Sequence, residues 1–388
     1  MLERFQILVW LVGPWETFHR RPMLEALAVN AHSVADVLCV NHPLSWRELW
    51  AQGRRATFQA YLDNPHPNLW VSTPVIWLPS SGRFRWMAPL VGNIIASQVG
   101  ACLRKLDGAN GPRVAWVYRP EQLNLLGLIG ENYVVYECYD AYTLSITDGR
   151  PIAGMAEQET TLLDRTDLVF ATSEPLVTHC QEGHPNVHYA LNGANVALFS
   201  RRASALPTEM RALHAPRIGY IGSVTAFLDL ALVERLAMMA PEWSFVLIGP
   251  IHSTVQTQVN ALQRRYGNIY FLGRKSQRDL PAYLQACDVI MLPFKTNAYL
   301  QHSNPLVLWE CMATGKPIVI TRLEIVSDLV DVVYVADDAE MFAQHIRWAL
   351  QTDDIERQRR QIDVARDHSW PALTRRVPQQ LQVDLAAR

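Results

Sequence analysis

Residues 303–321, SNPLVLWECMATGKPIVIT, contain the signals of a helix start, a helix stop and a strand in one short stretch. Ser303 or Asn304 is predicted to cap the helix, and Pro305 suits its first turn, where no amide hydrogen is needed. Gly315 is predicted to end the helix in the left-handed conformation, and an apolar run follows it. These signals agree with one another, and they predict an αβ unit of an α/β protein.

The start of this helix is also a predicted binding site. Its unpaired amides and the positive end of its dipole favour a phosphate group. We therefore predict ligand contacts from Ser303, Asn304, Pro305 and Leu306. Glu310 lies about one and a half turns further on, where its carboxylate can accept hydrogen bonds from ribose hydroxyls. The stretch is typical of a nucleotide site.

A family resemblance rests on this stretch. The pattern Pro-x-x-x-x-Glu-x-Met-Ala-x-Gly-Lys-Pro at 305–317 resembles the donor-site motif of GT-B glycosyltransferases of the family-4 type, the glycosyl transferases group 1. The similarity covers roughly residues 216–372, including 217–223, 268–274 and 287–294 in the expected order, and it is weak before them. The resemblance implies two Rossmann-like, doubly wound parallel-sheet domains facing a central cleft, with a C-terminal helix crossing back to the first domain.

The alternation of apolar runs and helical patterns independently favours two α/β domains. The strand-like runs are 5–12, 36–40, 114–118, 133–137 and 168–171, and then runs beginning at Ile218, Phe245, Ile269, Val289, Ile318 and Val332. A break around 192–216 separates the sets, and 388 residues suit two domains. We predict an acceptor-binding domain at 1–205, a donor-binding domain at 206–370 and a final helix at 371–388.

Four predicted strand ends carry candidate donor-binding residues. Ligands of doubly wound sheets bind beyond the carboxyl ends of the strands. The candidates are Gly222, Ser223, Gly249, Arg274, Lys275 and Lys295. The three cations are predicted to neutralise a diphosphate leaving group, although each is equally well explained as a solvated loop charge.

The chain departs from the family pattern at the phosphate loop. The resemblance implies a Glu at the position of His302 and an Arg and a Lys within 222–229, which this chain lacks. We expect Arg274, Lys275, Lys295 and the helix amides to take over. His302 is predicted to contact the sugar or its phosphate, and a structural histidine is the alternative.

In the first domain, Asp140 is the candidate for chemistry because it follows the buried run 133–137. It is predicted to act as a general base in an inverting enzyme, or to orient the acceptor in the retaining enzyme that the resemblance implies. A turn cap is the alternative, and Glu137 is the weaker rival. His19 and Arg21, with Arg20 between them, are predicted to reach the acceptor from the loop after the first strand.

Composition narrows the functional class. A net charge of −2 makes nucleic acid an unlikely substrate. The six cysteines lack C-x-x-C spacing and are predicted to be reduced core residues. No Asp-x-Asp pattern or metal-ligand cluster occurs at a strand end, so we expect no cofactor beyond the nucleotide-sugar co-substrate and no obligatory metal.

The predicted location is cytoplasmic, peripheral on the inner face of the cell membrane at most. The first apolar run is too short for a signal peptide, and no run approaches the roughly 20 residues of a membrane span. Residues 77–105 combine aromatic and cationic residues with an apolar helical stripe, which predicts a peripheral membrane contact. Packing of that stripe against its own sheet is the alternative.

Near the C-terminus, 353–366 is predicted to be a charged helix, and 371–385 a further helix interrupted at Pro378. Taken together, the resemblance implies transfer of a sugar from a nucleotide-diphosphate donor to a hydroxyl of a glycan or lipid-linked acceptor in bacterial surface polysaccharide assembly. An epimerase on the same fold and a catalytically inactive nucleotide-sugar-binding protein are the alternatives.

Overall fold

A computed structural model describes residues 5–30, 34–51, 53, 58–77, 88–106, 112–190, 192–201, 205–352 and 354–386. The chain forms two compact units. The first comprises Met1–Thr143, Ile152–Ala190 and Leu373–Arg388, and the second comprises Leu144–Pro151 and Leu191–Ala372.

Within the described residues, the first unit is built on an eight-stranded sheet in the order β10-β9-β8-β7-β1-β2-β5-β4. The strands, two of which form a separate small sheet, are β1 (Phe5–Trp10), β2 (Val34–Val40), β3 (Leu44–Ser45), β4 (Tyr61–His66), β5 (Leu69–Thr73), β6 (Val75–Ile76), β7 (Arg113–Val117), β8 (Tyr133–Cys138), β9 (Leu168–Ala171) and β10 (Val187–Tyr189). The α-helices are α1 (Arg21–Asn30), α2 (Trp46–Ala51), α3 (Ala88–Leu103), α4 (Met155–Leu163) and α5 (Glu174–Gln181).

The five strands predicted for this unit are confirmed as β1, β2, β7, β8 and β9, which pair in parallel. Every residue of β1 and β8 is buried, as expected for a sheet covered on both faces. The prediction missed the antiparallel pair β4–β5. Tyr61–His66 contains Pro65 and exposed polar residues, and such a sequence is tolerated only at a sheet edge.

The second unit contains a parallel sheet in the order β13-β12-β11-β14-β15-β16. Its strands are β11 (Arg217–Ile221), β12 (Ser244–Ile248), β13 (Ile269–Gly273), β14 (Val289–Leu292), β15 (Ile318–Thr321) and β16 (Tyr334–Ala336). Its helices are α6 (Val196–Phe199), α7 (Thr208–Arg211), α8 (Leu230–Met239), α9 (Gln256–Arg265), α10 (Leu280–Gln285), α11 (Ala298–Gln301), α12 (Leu306–Met312), α13 (Ala339–Gln351) and α14 (Ile355–Asp367).

All six strands predicted for the second unit are present, but the last begins two residues later than expected. The amides of Val332 and Val333 both donate to the carbonyl of Leu329 at 2.8 Å. A turn therefore occupies these two residues, and the ladder with β15 starts only at Tyr334.

The last helix, α15 (Trp370–Ala386), begins in the second unit and continues in the first. It runs through Pro378 without a break, so the predicted interruption is wrong. Buried Leu373, Val377 and Leu381 anchor the turns around that position, and this packing outweighs one missing amide donor. In the first unit Asp384 accepts hydrogen bonds from Tyr133 and Asn186.

The helical stripe of 77–105 packs largely as the alternative interpretation proposed. Ile95, Val99 and Leu103 of α3 are buried, while Val91 and Ile94 are half-buried. The cationic and aromatic residues at 83–87 lie outside the described residues. None of the described helices is both long and apolar enough to pass through a bilayer. All six cysteines are buried and unbridged, as predicted.

Candidate functional site

The carboxyl ends of the strands in the second unit share one edge, because all of these strands are parallel. The loops that follow them are hydrogen-bonded to one another. The amide of Gly222 donates to Ile248 at 3.0 Å, and that of Gly249 donates to Gly273 at 3.0 Å. The predicted donor-binding residues at the ends of β11, β12 and β13 therefore lie on adjoining loops.

Gly249 occupies a position that excludes a side chain. Its φ is +155°, and a Cβ atom built there would lie 1.9 Å from the carbonyl oxygen of Gly222. The close approach of two loop backbones thus explains the glycine. Ser223 is exposed beside this contact, and its carbonyl accepts a hydrogen bond from the hydroxyl of Tyr220.

The predicted caps of α12 are wrong. Pro305 occupies the N-cap position without a side-chain cap, and the helix begins at Leu306. The hydroxyl of Ser303 instead donates to the carbonyl of Tyr299. The side-chain oxygen of Asn304 accepts from the indole of Trp309 at 2.8 Å. The amides of the first helical turn still have no acceptor within the helix.

An aromatic contact fixes α12 against the residue that follows α14. Trp309 stacks on His368, with ring centroids 3.6 Å apart and an interplanar angle of 11°. His368 lies near the end of the region 216–372 that resembles the family, so this contact gives that end of the region a physical role. Gly315 has a φ of +69°, which confirms the predicted left-handed stop.

Glu310 is half-buried on α12, and its carboxyl has no hydrogen-bond or ion-pair partner among the described residues. Burial raises the pKa of this carboxyl to about 8. The group is therefore largely neutral at pH 7 when the site is empty. An acid group kept unpaired in such a position is more typical of a functional site than of a structural one.

The three predicted cations differ in their surroundings. Lys275 forms an ion pair with Glu209 at 2.7 Å, and that hydrogen bond raises the pKa of the lysine. It is therefore already neutralised. Arg274 is exposed and Lys295 is half-buried, and no described residue pairs with either side chain. Only these two remain available for an anion.

His302 lies at the end of α11, where its Nδ1 donates to the carbonyl of Ala298 at 2.7 Å. That bond orients the ring. Thr225, which the sequence analysis did not select, has a buried hydroxyl without a partner in the described part of the chain. It lies in the loop after β11, within the range 222–229 where the family's two cations are missing.

In the first unit, Glu137 is inside the core. Arg20 is fully buried and its Nη2 lies 2.8 Å from Oε1 of Glu137, whose other oxygen accepts from the indole of Trp116 at 2.9 Å. Burial raises the pKa of Glu137, while Arg20 and Trp116 oppose the shift. The expectation that Arg20 reaches the acceptor is therefore wrong, and both oxygens of Glu137 are committed to core partners.

Tyr139 is next to His19 in space and next to Asp140 in the chain. The rings of His19 and Tyr139 meet edge to face at 4.8 Å, and Asp140 follows Tyr139 in the chain as a half-buried residue. His19 exposes part of its surface, but the protein packed around its other face and the Arg20 cation lower its pKa. Arg21 is paired with Glu25 at 2.6 Å.

The family was tested by comparison with known proteins. Residues 215–352 match the model described as Glycosyl transferases group 1. This region is similar to the glycosyl transferases group 1 family. It contains Glu310, His302 and all the strand-end residues predicted for the donor site, so the resemblance first seen at 303–321 is confirmed.

A curated glycosyltransferase is similar to part of the chain. The chain is 26% identical over 227 residues to the "Putative teichuronic acid biosynthesis glycosyltransferase TuaH" of Bacillus subtilis (strain 168), which covers 55% of this chain. The match spans only 57% of that relative's length.

Solved structures establish the fold over the whole chain. Sucrose-phosphate synthase from Thermosynechococcus elongatus has a TM-score of 0.73 at 16% identity and covers 99% of this chain and 100% of its own. Anabaena HepE, solved in complex with UDP and glucose, has a TM-score of 0.68 at 16% identity and covers 97% and 99%. The chain therefore has the predicted GT-B fold.

A cavity of about 340 Å³ in the first unit contains none of the predicted site residues. It lies at the carboxyl ends of β1, β2 and β7, which are neighbours in the sheet. Its lining is mainly apolar, and no catalytic motif points to it. The strand ends themselves were the only sequence signal that could have found it.

Proposed function

We propose that this protein is a glycosyltransferase that moves a sugar from a nucleotide-diphosphate donor to a hydroxyl of a glycan or lipid-linked acceptor. The family of residues 215–352 supports the reaction class. The name of the Bacillus subtilis relative supports bacterial cell-surface polysaccharide as the product class. The UDP and glucose in the Anabaena structure support a nucleotide-sugar donor.

The carboxyl of Glu310 is the observation that carries this proposal. It is unpaired among the described residues, half-buried and raised in pKa, on the helix whose sequence matches the donor motif. Two adjacent ribose hydroxyls would supply the donors that the carboxylate lacks. The first amides of α12 would then face the diphosphate.

The leaving diphosphate needs positive charge, and the chain offers less of it than the family pattern implies. Arg274 and Lys295 are assigned this role because Lys275 is already paired with Glu209. His302 and the hydroxyl of Thr225 add polar contacts. Leaving-group stabilisation of this kind needs no divalent metal, and the proposed enzyme is metal-independent.

Asp140 is proposed to orient the acceptor hydroxyl, with His19 beside the shared Tyr139 ring. The family resemblance favours a retaining outcome, in which no dedicated base is required. Transfer to an acceptor in a chelator-treated assay tests metal independence, and loss of turnover that added magnesium restores would refute it.

Nucleotide binding is the direct test of the donor site. UDP, GDP, TDP and ADP are screened by thermal shift with wild type, Glu310→Gln and the exposed control Glu340→Gln. A ligand that binds only the folded protein raises its apparent stability. We expect one nucleotide to stabilise wild type and the control but not Glu310→Gln. No stabilisation of wild type by any nucleotide would refute the donor site.

A second function is favoured by one observation. The ion pair between Lys275 and Glu209 withdraws a cation from a site that already lacks the family's phosphate clamp. A nucleotide-sugar-binding protein without turnover would fit this deficit. It would bind the donor with the same dependence on Glu310 and release no nucleotide in the presence of any acceptor.

A further inference from the structure

The cavity of the first unit is the starting point for a statement about the acceptor. It lies where β1, β2 and β7 end, and doubly wound sheets bind ligands at such ends. Its volume of about 340 Å³ falls within the roughly 300–1,000 Å³ of small-ligand sites. The proposed function requires an acceptor, and none of the residues assigned to it so far lines this space.

More than half of the residues that line the cavity are apolar. Their side chains come from the ends of β1 and β2, from α3 and from the 3-10 helix Pro120–Leu125. They are Trp10, Leu11, Val12, Val40, Pro43, Ile95 and Leu125. Burial of an alkyl chain against such walls is favourable in proportion to the apolar area removed from water.

Two of the three amide side chains in the lining, Asn41 and Gln122, are already committed. Asn41 accepts from the amide of Trp15 and donates to Thr73. Gln122 accepts from the amides of Tyr118 and Arg119, and its amino group donates to the carbonyl of Trp10. These groups organise the backbone around the cavity and offer a ligand little.

One polar atom of the lining is buried behind the cavity surface. Trp10 is almost fully buried, and its indole N–H has no hydrogen-bond partner among the described residues. The exposed polar residues His42, Arg119, Glu121 and Asn124 complete the lining. A sugar ring placed inside would leave most of its hydroxyls unpaired, which is unfavourable. An apolar chain suits the apolar walls, and a polar head suits the exposed side chains of the lining.

We propose that this cavity binds the apolar chain of an amphiphilic acceptor, so that the acceptor class is a glycolipid or lipid carrier and not a free sugar. The assignment of the chain to an acceptor rests on the proposed transferase function. The cavity then supplies affinity and places the polar head among the exposed side chains of the lining.

The test uses ethyl, hexyl, octyl and decyl glucosides below their micelle-forming concentrations, with binding measured by calorimetry. All four carry the same sugar head. Wild type is expected to bind more tightly by up to about fourfold for each added methylene until the cavity is full. A dissociation constant that does not change from ethyl to decyl glucoside would overturn the proposal.

Three variants locate the chain. Ile95→Asp places a charge in the wall and is expected to abolish the dependence on chain length. Leu125→Trp keeps the wall apolar but fills space, so affinity should stop rising at a shorter chain, which keeps the test decisive if Ile95→Asp does not fold. The exposed control Val29→Asp should behave as wild type. Unchanged profiles in both lining variants would refute the cavity as the site.

Nucleotide binding in the same wild-type sample separates this inference from the proposed function. Nucleotide binding without chain-length dependence would overturn the acceptor class alone. Chain-length dependence without any nucleotide binding would overturn the transferase and leave an apolar-chain site.

Discussion

The pH dependence of nucleotide binding should report directly on Glu310. Burial raises the pKa of its carboxyl to about 8 in the empty site, so the neutral form dominates at pH 7. Ribose hydroxyls bind best to the ionised carboxylate, and a bound nucleotide must therefore displace the proton. One pH unit below the pKa this costs about 1.4 kcal/mol, a tenfold loss of affinity. At pH 6 the loss approaches roughly a hundredfold relative to the plateau above pH 8.

The assay is titration calorimetry of the best nucleotide from pH 6 to pH 9 with wild type, Glu310→Gln and Glu340→Gln. The nucleotide's own phosphate titrates near pH 6, but it does so equally with all three proteins. The ratio of dissociation constants between Glu310→Gln and wild type therefore isolates the carboxyl. That ratio should rise with pH up to about 8 and then level off. A ratio independent of pH would refute the assignment of Glu310 to the ribose.

The remaining predictions concern stability and are measured by urea unfolding. Between about pH 4.5 and 8 the carboxyl of Glu310 is protonated in the folded state and ionised in the unfolded state, because burial raises its pKa. As the pH rises through this range, the free energy of unfolding of wild type should fall by on the order of 2–4 kcal/mol relative to that of Glu310→Gln. Parallel pH profiles of the two proteins would contradict this. Gly249→Ala forces a Cβ atom against Gly222 and should lower the free energy of unfolding by about 3 kcal/mol. The control Gly267→Ala, where the space is open, should lower it by well under about 1 kcal/mol. Equal effects would show that the two loop backbones separate easily. Glu137→Gln leaves the Arg20 cation buried without its counter-charge and should lower the free energy of unfolding by roughly 3–5 kcal/mol. A decrease of less than about 1 kcal/mol would mean that water reaches the pair.

Much of the second unit was predictable because its signals are local. The strands are continuous apolar runs, and the glycine after α12 needs a positive φ that its neighbours impose. The donor motif at 303–321 combined these signals in one stretch. Even there the caps were wrong, because Trp309 and Tyr299 took the polar groups of Asn304 and Ser303. A propensity describes what a side chain can do, and its tertiary partners decide what it does.

The first unit was less predictable for the same reason. The sequence of β4 is typical of a loop, because Pro65 and the exposed polar residues show no strand pattern. It forms a strand only through its pairing with β5. The roles of Arg20 and Glu137 could not be read either. They are more than a hundred positions apart in the chain, and only the fold brings Arg20, in the loop before α1, against Glu137 of β8.

The sequence by itself determined the α/β class, the parallel apolar strands, the similarity of residues 215–352 to the family and the placement of Glu310 on α12. These depend on interactions within a few residues, which a pattern records. Only the tertiary structure decided that Lys275 is neutralised by Glu209, that Glu137 holds Arg20 in the core, and that an apolar cavity opens beside Trp10. Charge pairing, burial and empty space are properties of surroundings assembled from distant segments, and no single stretch of the chain contains them.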